Sequence, residues 1–202
     1  PASANILFTS LLVNGTNNSP ATVGFQPVPN SCSGCPSGNT VQNSSTGKFY
    51  CSIQEAIDDP LTLSGNTITA SAGTYNESLN INKTLTIKGV QAGVCAPSRG
   101  GAESIINCVN GIGVNASNVI INGFTISGQT ATNSGAGFGY AVYMVPGTTG
   151  TQLINNIIKN NVVGSSVSNT GASQVLINCN WFDANNNPGP AGGAGIYTDE
   201  FT

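Results

Sequence analysis

Three segments of the chain repeat one pattern: VIINGFTIS (119–127), TQLINNIIK (151–159) and VLINCNWFD (175–183). Aligned without gaps, they form three columns: Ile121, Leu153 and Ile177; Phe124, Asn156 and Asn180; and Ile126, Ile158 and Phe182. The first and third columns are apolar, as expected of side chains that enter a shared core once in every turn of the chain. The pattern therefore predicts short strands that stack in register.

The spacing of the columns identifies the repeating unit. Successive members of the first column lie 32 and 24 residues apart, and Ile87 precedes Ile121 by 34 residues. This period predicts a solenoid in which each coil has three short strands and loops of variable length. The segment ISGQTATNSGAGFGY (126–140), rich in Gly, Ser and Thr, is the predicted outward excursion. The predicted fold is all-β, a right-handed parallel β-helix over residues 51–202.

Alternating apolar residues predict further strands upstream of the repeats. Ile and Leu at positions 68, 79, 81, 85 and 87 alternate within NTITAS and SLNINKTLTIKG, and a period of two is typical of strands. In the middle column, Asn156 and Asn180 indicate either a ladder of side-chain amides along the stack or the tolerance of Asn for left-handed turns. The residues alone leave both interpretations open.

A short helix is predicted in CSIQEAIDDP (51–60). Ser52 can cap its N-terminus, and Glu55, three residues later, can complete a capping box. The apolar face of the helix comprises Ile53, Ala56 and Ile57. Pro60 ends the helix.

Residues 1–50 differ in composition and are predicted to form an N-terminal arm or cap. An apolar stretch, NILFTSLLV (5–13), precedes a segment rich in Pro, Gly, Ser and Cys that reaches Lys48. The next strand-like run begins near Asn66. The apolar stretch is therefore predicted to lack an adjacent hairpin partner and to pair at long range or with another chain.

The chain is nearly uncharged, which limits the partners it can bind. Only 6% of residues are charged and the net charge is −3, whereas about a quarter of the residues of an ordinary domain are charged. The basic residues are scattered: Lys48, Lys83, Lys88, Arg99 and Lys159. They cannot build the positive surface that nucleic acid requires. No apolar run approaches the roughly 20 residues that cross a bilayer, so neither nucleic acid nor a membrane span is expected.

Six cysteines and no histidine favour disulfides over a metal site. The cysteines are Cys32, Cys35, Cys51, Cys95, Cys108 and Cys179. Six cysteines allow 15 connectivities, which the residues alone leave open; a bridge from Cys95 to Cys108 could close one loop, and Cys32 or Cys35 could bind Cys51. Although Cys32 and Cys35 have the CxxC spacing, a zinc site needs a second pair of ligands, and no such pair follows. No metal or cofactor is therefore expected.

Six N-glycosylation sequons point to the same compartment as the disulfides. They begin at Asn14, Asn17, Asn43, Asn76, Asn82 and Asn115. An Asn-rich chain also produces sequons by chance, but together with paired cysteines and a start at Pro1 they favour a mature exported protein. The predicted location is extracellular, at the cell surface.

Parts of the chain resemble a known superfamily. SIQEAIDD (52–59) followed by AGTYNESLNINKTLTIKG (72–89) is similar to the opening coil of the pectin-lyase-like right-handed β-helices, and the INN and INCNWF runs resemble their repeat coils. The resemblance covers about residues 51–202 and implies a helical cap and three parallel sheets. It also implies membership in a group that includes polysaccharide lyases, pectin esterases, tail spikes, adhesins and surface proteins. Fold alone does not choose among these functions.

No active site can be assembled from the sequence. Acidic residues are few: Glu55, Asp58, Asp59, Glu77, Glu103, Asp183, Asp199 and Glu200. No two of them share a column in consecutive coils, as paired-carboxylate hydrolysis or calcium-dependent lysis requires. The glycine-rich GAGFGY (135–140) lacks the helix and Lys of a phosphate cradle. A non-catalytic protein is therefore expected.

The chain ends favour self-assembly. GAGIYTDEFT (193–202) reads like the start of another coil without a cap, and open strand edges template pairing with other chains. The assembly candidates are Ile6, Leu7, Phe8, Leu11, Leu12, Val13, Ile196, Tyr197 and Phe201. The leading hypothesis is an extracellular filament or surface-layer subunit, a homopolymer formed by head-to-tail stacking or strand addition. The alternatives are an adhesin and a carbohydrate-binding or carbohydrate-degrading β-helix, perhaps a fragment, with surface glycans as partners.

Trp181 and Phe182 are adjacent on one strand, so one must point inward and the other outward. An outward Trp181 could stack on a sugar or on a neighbouring subunit. The favoured interpretation is an aromatic side chain covered by a loop.

Overall fold

A computed structural model describes residues 11–13, 16–18, 35, 38–130, 139–167, 174–189 and 192–198, the first two ranges by backbone alone. The chain forms two compact units, residues 1–30 and 31–202. The division thus falls between residues 30 and 31, whereas the sequence analysis predicted an arm over residues 1–50. Strands between residues 41 and 50 pair with the solenoid and belong to the second unit.

In the first unit, strands β1 (Leu11–Val13) and β2 (Thr16–Asn18) pair antiparallel. The prediction that the apolar stretch lacks an adjacent partner is therefore wrong. The overlooked signal is the dipeptide Asn14-Gly15, which favours a tight hairpin turn. Ile6, Leu7, Phe8 and Phe201 lie outside the described residues, as do residues 131–138 of the predicted excursion.

The second unit is a parallel β-solenoid of five coils, which confirms the predicted fold class. It begins with β3 (Val41–Asn43), β4 (Phe49–Tyr50) and helix α1 (Ile53–Asp58). The coils follow: β5 (Thr67–Ala70), β6 (Gly73–Tyr75) and β7 (Leu79–Ile81); β8 (Thr86–Lys88), β9 (Ser104–Asn107) and β10 (Ile112–Val114); β11 (Ile120–Asn122), β12 (Thr125–Ser127) and β13 (Tyr140–Met144); β14 (Gln152–Ile154), β15 (Ile157–Lys159) and β16 (Val163–Val167); β17 (Leu176–Asn178), β18 (Trp181–Asp183) and β19 (Ile196–Thr198). A 3₁₀ turn spans Ala96–Ser98.

The first, second and third strands of the coils form three parallel sheets, called sheets 1, 2 and 3. In sheet 1, Ile121 pairs with Leu153, and Leu153 with Ile177, as the repeats predicted. In sheet 2, Ile126 pairs with Ile158, and Ile158 with Phe182. The tail segment 196–198 is the third strand of the last coil and not the start of a new one. The predicted aliphatic columns are therefore confirmed.

At one corner of the coils, the buried Asn156 and the half-buried Asn180 form the predicted amide ladder. Asn156 accepts from the Phe124 backbone N–H (3.0 Å) and donates to the Ile121 carbonyl (2.8 Å). Asn180 repeats the pattern one coil later: it accepts from the Asn156 N–H (2.8 Å) and donates to the Leu153 carbonyl (2.6 Å). Each side-chain amide thus bonds to one backbone N–H and one backbone carbonyl at the corner, where the turn breaks the regular pairing of strands.

A second ladder occupies the next corner, between sheets 2 and 3. There Asn161 accepts from the Gln129 N–H (3.1 Å) and donates to Asn185 Oδ1 (2.9 Å). Asn185 in turn donates to the Ile158 carbonyl (2.8 Å). Sequence reasoning did not identify this ladder.

Left-handed residues turn the chain just before each ladder position. At one corner, φ is 82° for Gly123, 57° for Asn155 and 55° for Cys179. At the other corner, φ is 83° for Gly128, 56° for Asn160 and 49° for Ala184. For the column itself, Asn156 and Asn180, the ladder interpretation is therefore correct, and the left-handed positions are the residues directly before them, Asn155 and Cys179. Asn155 adopts the turn conformation, and Asn156 makes the ladder.

The N-terminal end of the solenoid is capped. Helix α1 buries Ile53, Ala56 and Ile57 and contacts β3, β4, β5 and β7. Ser52 caps it as predicted, accepting from the Glu55 N–H (3.1 Å). The Glu55 carboxylate, however, reaches the N–H of Cys51 (3.1 Å), one residue before the position that a capping box would use. Strand β3 closes the edge of sheet 1 by pairing antiparallel with β5.

Residues 89–103, between β8 and β9, form a clasp along the outside of the coils. Cys95 makes a disulfide with Cys179, and the Ala96 N–H donates to the Cys179 carbonyl (3.0 Å). The Arg99 side chain, 1% exposed, donates to the carbonyls of Asn155 (2.7 Å) and Phe124 (3.1 Å). The clasp therefore binds one corner of coils 3, 4 and 5.

The predicted pairing of Cys95 with Cys108 is wrong. Cys108 is a buried free thiol at the end of β9, on the core side of the coil, whereas the clasp passes outside. The other disulfide joins Cys35 to Cys51, one of the two predicted alternatives. Cys32 lies outside the described residues.

Replacing Asn156 by Ala should lower the free energy of unfolding by about 3 kcal/mol, because each buried group left without a partner costs about 1–3 kcal/mol. Urea denaturation measures the change. The exposed Asn186, replaced by Ala, is the control and should stay within about 0.5 kcal/mol of the parent. Equal losses in the two variants would contradict the ladder's role.

The two disulfides should contribute unequally to stability. The Cys95–Cys179 bridge spans 84 residues and Cys35–Cys51 spans 16. The chain-entropy model gives about 4–5 kcal/mol for the first and about 3 kcal/mol for the second. The double variant C95A/C179A should therefore unfold at lower urea concentration than C35A/C51A. The reverse order would show that the clasp adds little.

Candidate functional site

Most of the sparse charges serve the N-terminal cap and the clasp. The Glu77 carboxylate accepts from the backbone N–H groups of Ile53 (2.8 Å) and Gln54 (2.9 Å) and so closes the start of helix α1. Lys83 donates to the carbonyls of Ile57 (2.6 Å) and Asp59 (3.0 Å) at the other end of the helix. The charged groups thus replace hydrogen bonds that the helix ends lack.

Ion pairs account for further charges. Asp59 pairs with Lys48, whose hydrogen bond lowers the pKa of the carboxyl group. Glu103 pairs with Arg99 at 2.8 Å. Burial lowers the pKa of Arg99, and the Glu103 charge acts in the opposite direction.

Burial governs the remaining perturbed groups. It raises the pKa of Glu77, against the effect of the two backbone donors. It also raises the pKa of the Cys108 thiol to about 12, which leaves a thiol with little nucleophilic character at neutral pH. Among the described residues, no three His, Cys, Asp or Glu side chains are grouped closely enough to hold a metal ion.

The predicted glycosylation sites separate into distinct groups. Asn76, Asn82 and Asn115 are exposed, each directly after a strand. Asn43 is fully buried and donates to Thr62 Oγ1 (2.8 Å) and Asn66 Oδ1 (3.0 Å). The prediction for Asn43 is therefore wrong for the folded chain. Asn14 lies outside the described residues, and only the backbone of Asn17 is described.

At coil 5, the core is uncovered within the described residues. Ile196 continues the inward column of sheet 3, in which Val142 and Ser165 precede it. Val142 and Ser165 are fully buried, but Ile196 is 45% exposed. The core therefore reaches the surface at coil 5 of the described chain.

The backbone edge of coil 5 is uncovered as well. In coils 3 and 4, the corner N–H of Gly123 donates to Ile154 and that of Asn155 donates to Asn178, each one coil further on. The equivalent donor in coil 5 is the Cys179 N–H. By the same comparison, the Ala184 N–H is the equivalent donor at the next corner. Among the described residues there is no sixth coil to receive them.

Exposed apolar side chains surround this edge. Trp181 is 48% exposed and Leu176 is 45% exposed, while Phe182 packs against the core. The favoured prediction of a covered Trp181 is therefore wrong. Of the predicted assembly residues, Ile196 and Tyr197 lie in β19 at this edge, and Leu11, Leu12 and Val13 lie in β1 of the separate first unit.

A groove of about 610 Å³ runs along the outer face of sheet 3. Asn80, Gly113 and Tyr143 pair in register across its floor. Its rim is polar, and it includes Gln54, Asp58, Ser78, Asn110 and Asn115. Among the described lining residues, Asp58 is the one charged group.

Sequence reasoning missed this groove, because its residues come from the helix and three different coils. The available signal was a residue without an apolar side chain at the outward position of each strand, Asn80 in β7 and Gly113 in β10. Which residues of neighbouring coils lie side by side could not be predicted without the register of sheet 3.

Comparison with known proteins gives one match. The chain is 38% identical over 134 residues to a cell surface glycoprotein of Methanothermus fervidus. The match covers 64% of this chain and 19% of the relative, so the chain spans about a fifth of the relative's length. No family model matches the chain, and neither does any solved structure. The resemblance to the pectin-lyase-like superfamily stays a prediction.

Within the described residues, no helix has the length and apolar character that a membrane crossing demands.

Proposed function

We propose that the chain is a structural module of an exported cell-surface glycoprotein, and that it joins copies of itself into a surface layer or filament through the uncovered edge of coil 5. The exposure of Ile196, at the end of an otherwise buried column, carries this proposal. An apolar core that ends at the surface, beside unpaired strand edges, is a template for strand addition.

The comparison and the disulfides support the location. The relative's name describes a cell surface glycoprotein, and two disulfides suit an oxidising compartment. The exposed sequons at Asn76, Asn82 and Asn115 are compatible with the same environment.

The capped first coil decides which form of assembly is favoured. Gln54 occupies the free edge of β7, because its side-chain amide accepts from the Asn80 N–H (2.8 Å) and donates to the Asn80 carbonyl (3.4 Å). Strand β3 occupies the edge of β5. Direct stacking of a first coil on a last coil would have to displace these groups, so strand addition is favoured over coil-on-coil stacking.

The apolar stretch 5–13 is the favoured donor for strand addition. It contains Leu11–Val13, which already adopts an extended conformation as β1. A donor from one copy and an acceptor edge on another form a heterologous contact, which propagates into an open polymer unless the rotation closes a ring.

A non-catalytic role forms part of the proposal. The carboxylates of Glu77, Glu103 and Asp59 already hold the helix, the clasp and the cap. General acid-base chemistry needs titratable groups that converge on a substrate. The groups named here instead converge on backbone and partner side chains.

Replacing Ile196 by Lys should abolish self-association, because burying an ammonium group against an apolar partner is costly. Sedimentation of the parent chain should show species larger than the 20.4 kDa protomer that grow with concentration, and the I196K variant should remain a monomer. The two chains should have similar far-UV circular dichroism, since residue 196 is already half-exposed.

The matched control is Val109→Lys, since Val109 is 53% exposed and lies in the turn after β9, away from the last coil. This variant should assemble like the parent. A parent chain that stays monomeric at every concentration would contradict the proposal. Equal loss of assembly in the two lysine variants would also contradict it, because the effect would then be one of charge and not of the edge.

A further inference from the structure

We propose that the sequon at Asn115 carries an N-linked oligosaccharide whose first sugars lie in the groove on sheet 3, over Gly113 and against the ring of Tyr143. The inference rests on the exported location proposed above, because sugar transfer to sequons belongs to exported chains. It does not depend on whether copies of the chain associate through coil 5.

Asn115 is placed as an acceptor at the end of the groove. It is exposed, follows β10 directly and lines the groove. Its Nδ2 donates to Asn80 Oδ1 (2.5 Å). A glycosylated amide keeps one N–H, so the same hydrogen bond can orient the attached sugar along the groove.

Covalent attachment requires a sugar donor of a defined chemical class. Transfer forms a bond between Asn115 Nδ2 and the anomeric carbon of an oligosaccharide linked through phosphate to a lipid. The bond between that carbon and the phosphate oxygen breaks, and the electron pair stays with the phosphate. One amide proton is released, so atoms and charge balance without an oxidant or reductant.

The floor of the groove suits a sugar ring. Gly113 separates Asn80 from Tyr143, and a Cβ at this position would come within 3.3 Å of Asn115 Nδ2. The missing side chain leaves a depression between an amide and an aromatic ring. Tyr143 is fixed there by stacking on Tyr140, with ring centroids 5.6 Å apart and planes inclined by 13°.

The chemistry of the rim favours a neutral saccharide. The side-chain N–H groups of Asn80 and the hydroxyl of Ser78 offer donors and acceptors, and an aromatic face beside them accepts the C–H face of a ring. The volume of about 610 Å³ lies within the range of about 300–1,000 Å³ that small-molecule sites occupy.

The other exposed sequons do not share this position. Asn82 is the equivalent residue one coil earlier, since the Asn115 N–H donates to the carbonyl of Ile81 (2.9 Å). It does not line the groove. Asn76 follows β6 in sheet 2 and accepts from Asn107 Nδ2 (2.7 Å). Asn76 therefore serves as the matched control.

The test combines glycopeptide mass spectrometry of the natively produced protein with nitration of Tyr143 by tetranitromethane. We expect a hexose-containing or hexosamine-containing glycan on Asn115. We also expect a severalfold faster nitration of Tyr143 in N115Q, because the covering sugars are gone. The N76Q variant should nitrate at the parent rate.

The same variants produced in a host without N-glycosylation separate the sugar from the amide. In that material, parent and N115Q should nitrate at one fast rate. An unmodified Asn115 in a protein whose other sequons carry glycans would overturn this inference alone. Nitration that does not change in glycosylated N115Q would overturn the groove position. A protein without any glycan would overturn this inference together with the glycoprotein part of the proposed function, whereas sedimentation tests self-association separately.

Discussion

The structure depends on one constraint: every coil must present its backbone donors and acceptors to the coils above and below it while its aliphatic side chains meet inside. Straight strands satisfy this with their own backbone, but a corner breaks the pattern. The corners are therefore where the sequence is most specialised. A left-handed residue turns the chain, and a buried amide such as Asn156 supplies the hydrogen bonds that the turn withholds. Because amides perform this task without charge, the solenoid needs few ionisable residues.

The two ends of the solenoid solve the same problem differently. At the first coil, backbone edges are satisfied by the side chain of Gln54 and by the antiparallel strand β3, and helix α1 covers the core. At coil 5, the equivalent groups have no partner within the described chain, and Ile196 leaves the core uncovered. The first coil is covered and coil 5 is uncovered within the described chain, so the two faces of the solenoid differ in the contacts that they can make. This polarity is what favours strand addition over symmetric pairing, and it agrees with a role as one part of a larger surface structure.

The columns of sheets 1 and 2 could be predicted from the sequence because their apolar residues recur in segments that align without gaps. Cap residues such as Ser52 could be predicted because capping chemistry is local. The partner of Cys95 could not, because the clasp crosses three coils before it reaches Cys179. The burial of Asn43 could not be predicted either, because a sequon does not indicate whether its Asn side chain is buried in the folded chain. The groove remained hidden for a third reason: Asn80, Gly113 and Tyr143 become neighbours only when the register of sheet 3 is known.

The central claim is that coil 5 presents an acceptor edge that another copy of the chain completes. Amide hydrogen exchange, followed residue by residue at increasing protein concentration, tests it most directly. The backbone N–H groups of Cys179 and Ala184 should exchange rapidly in dilute solution and become protected as concentration rises, while those of Gly123 and Asn155 stay protected throughout. Fast exchange at Cys179 and Ala184 at all concentrations would contradict the account.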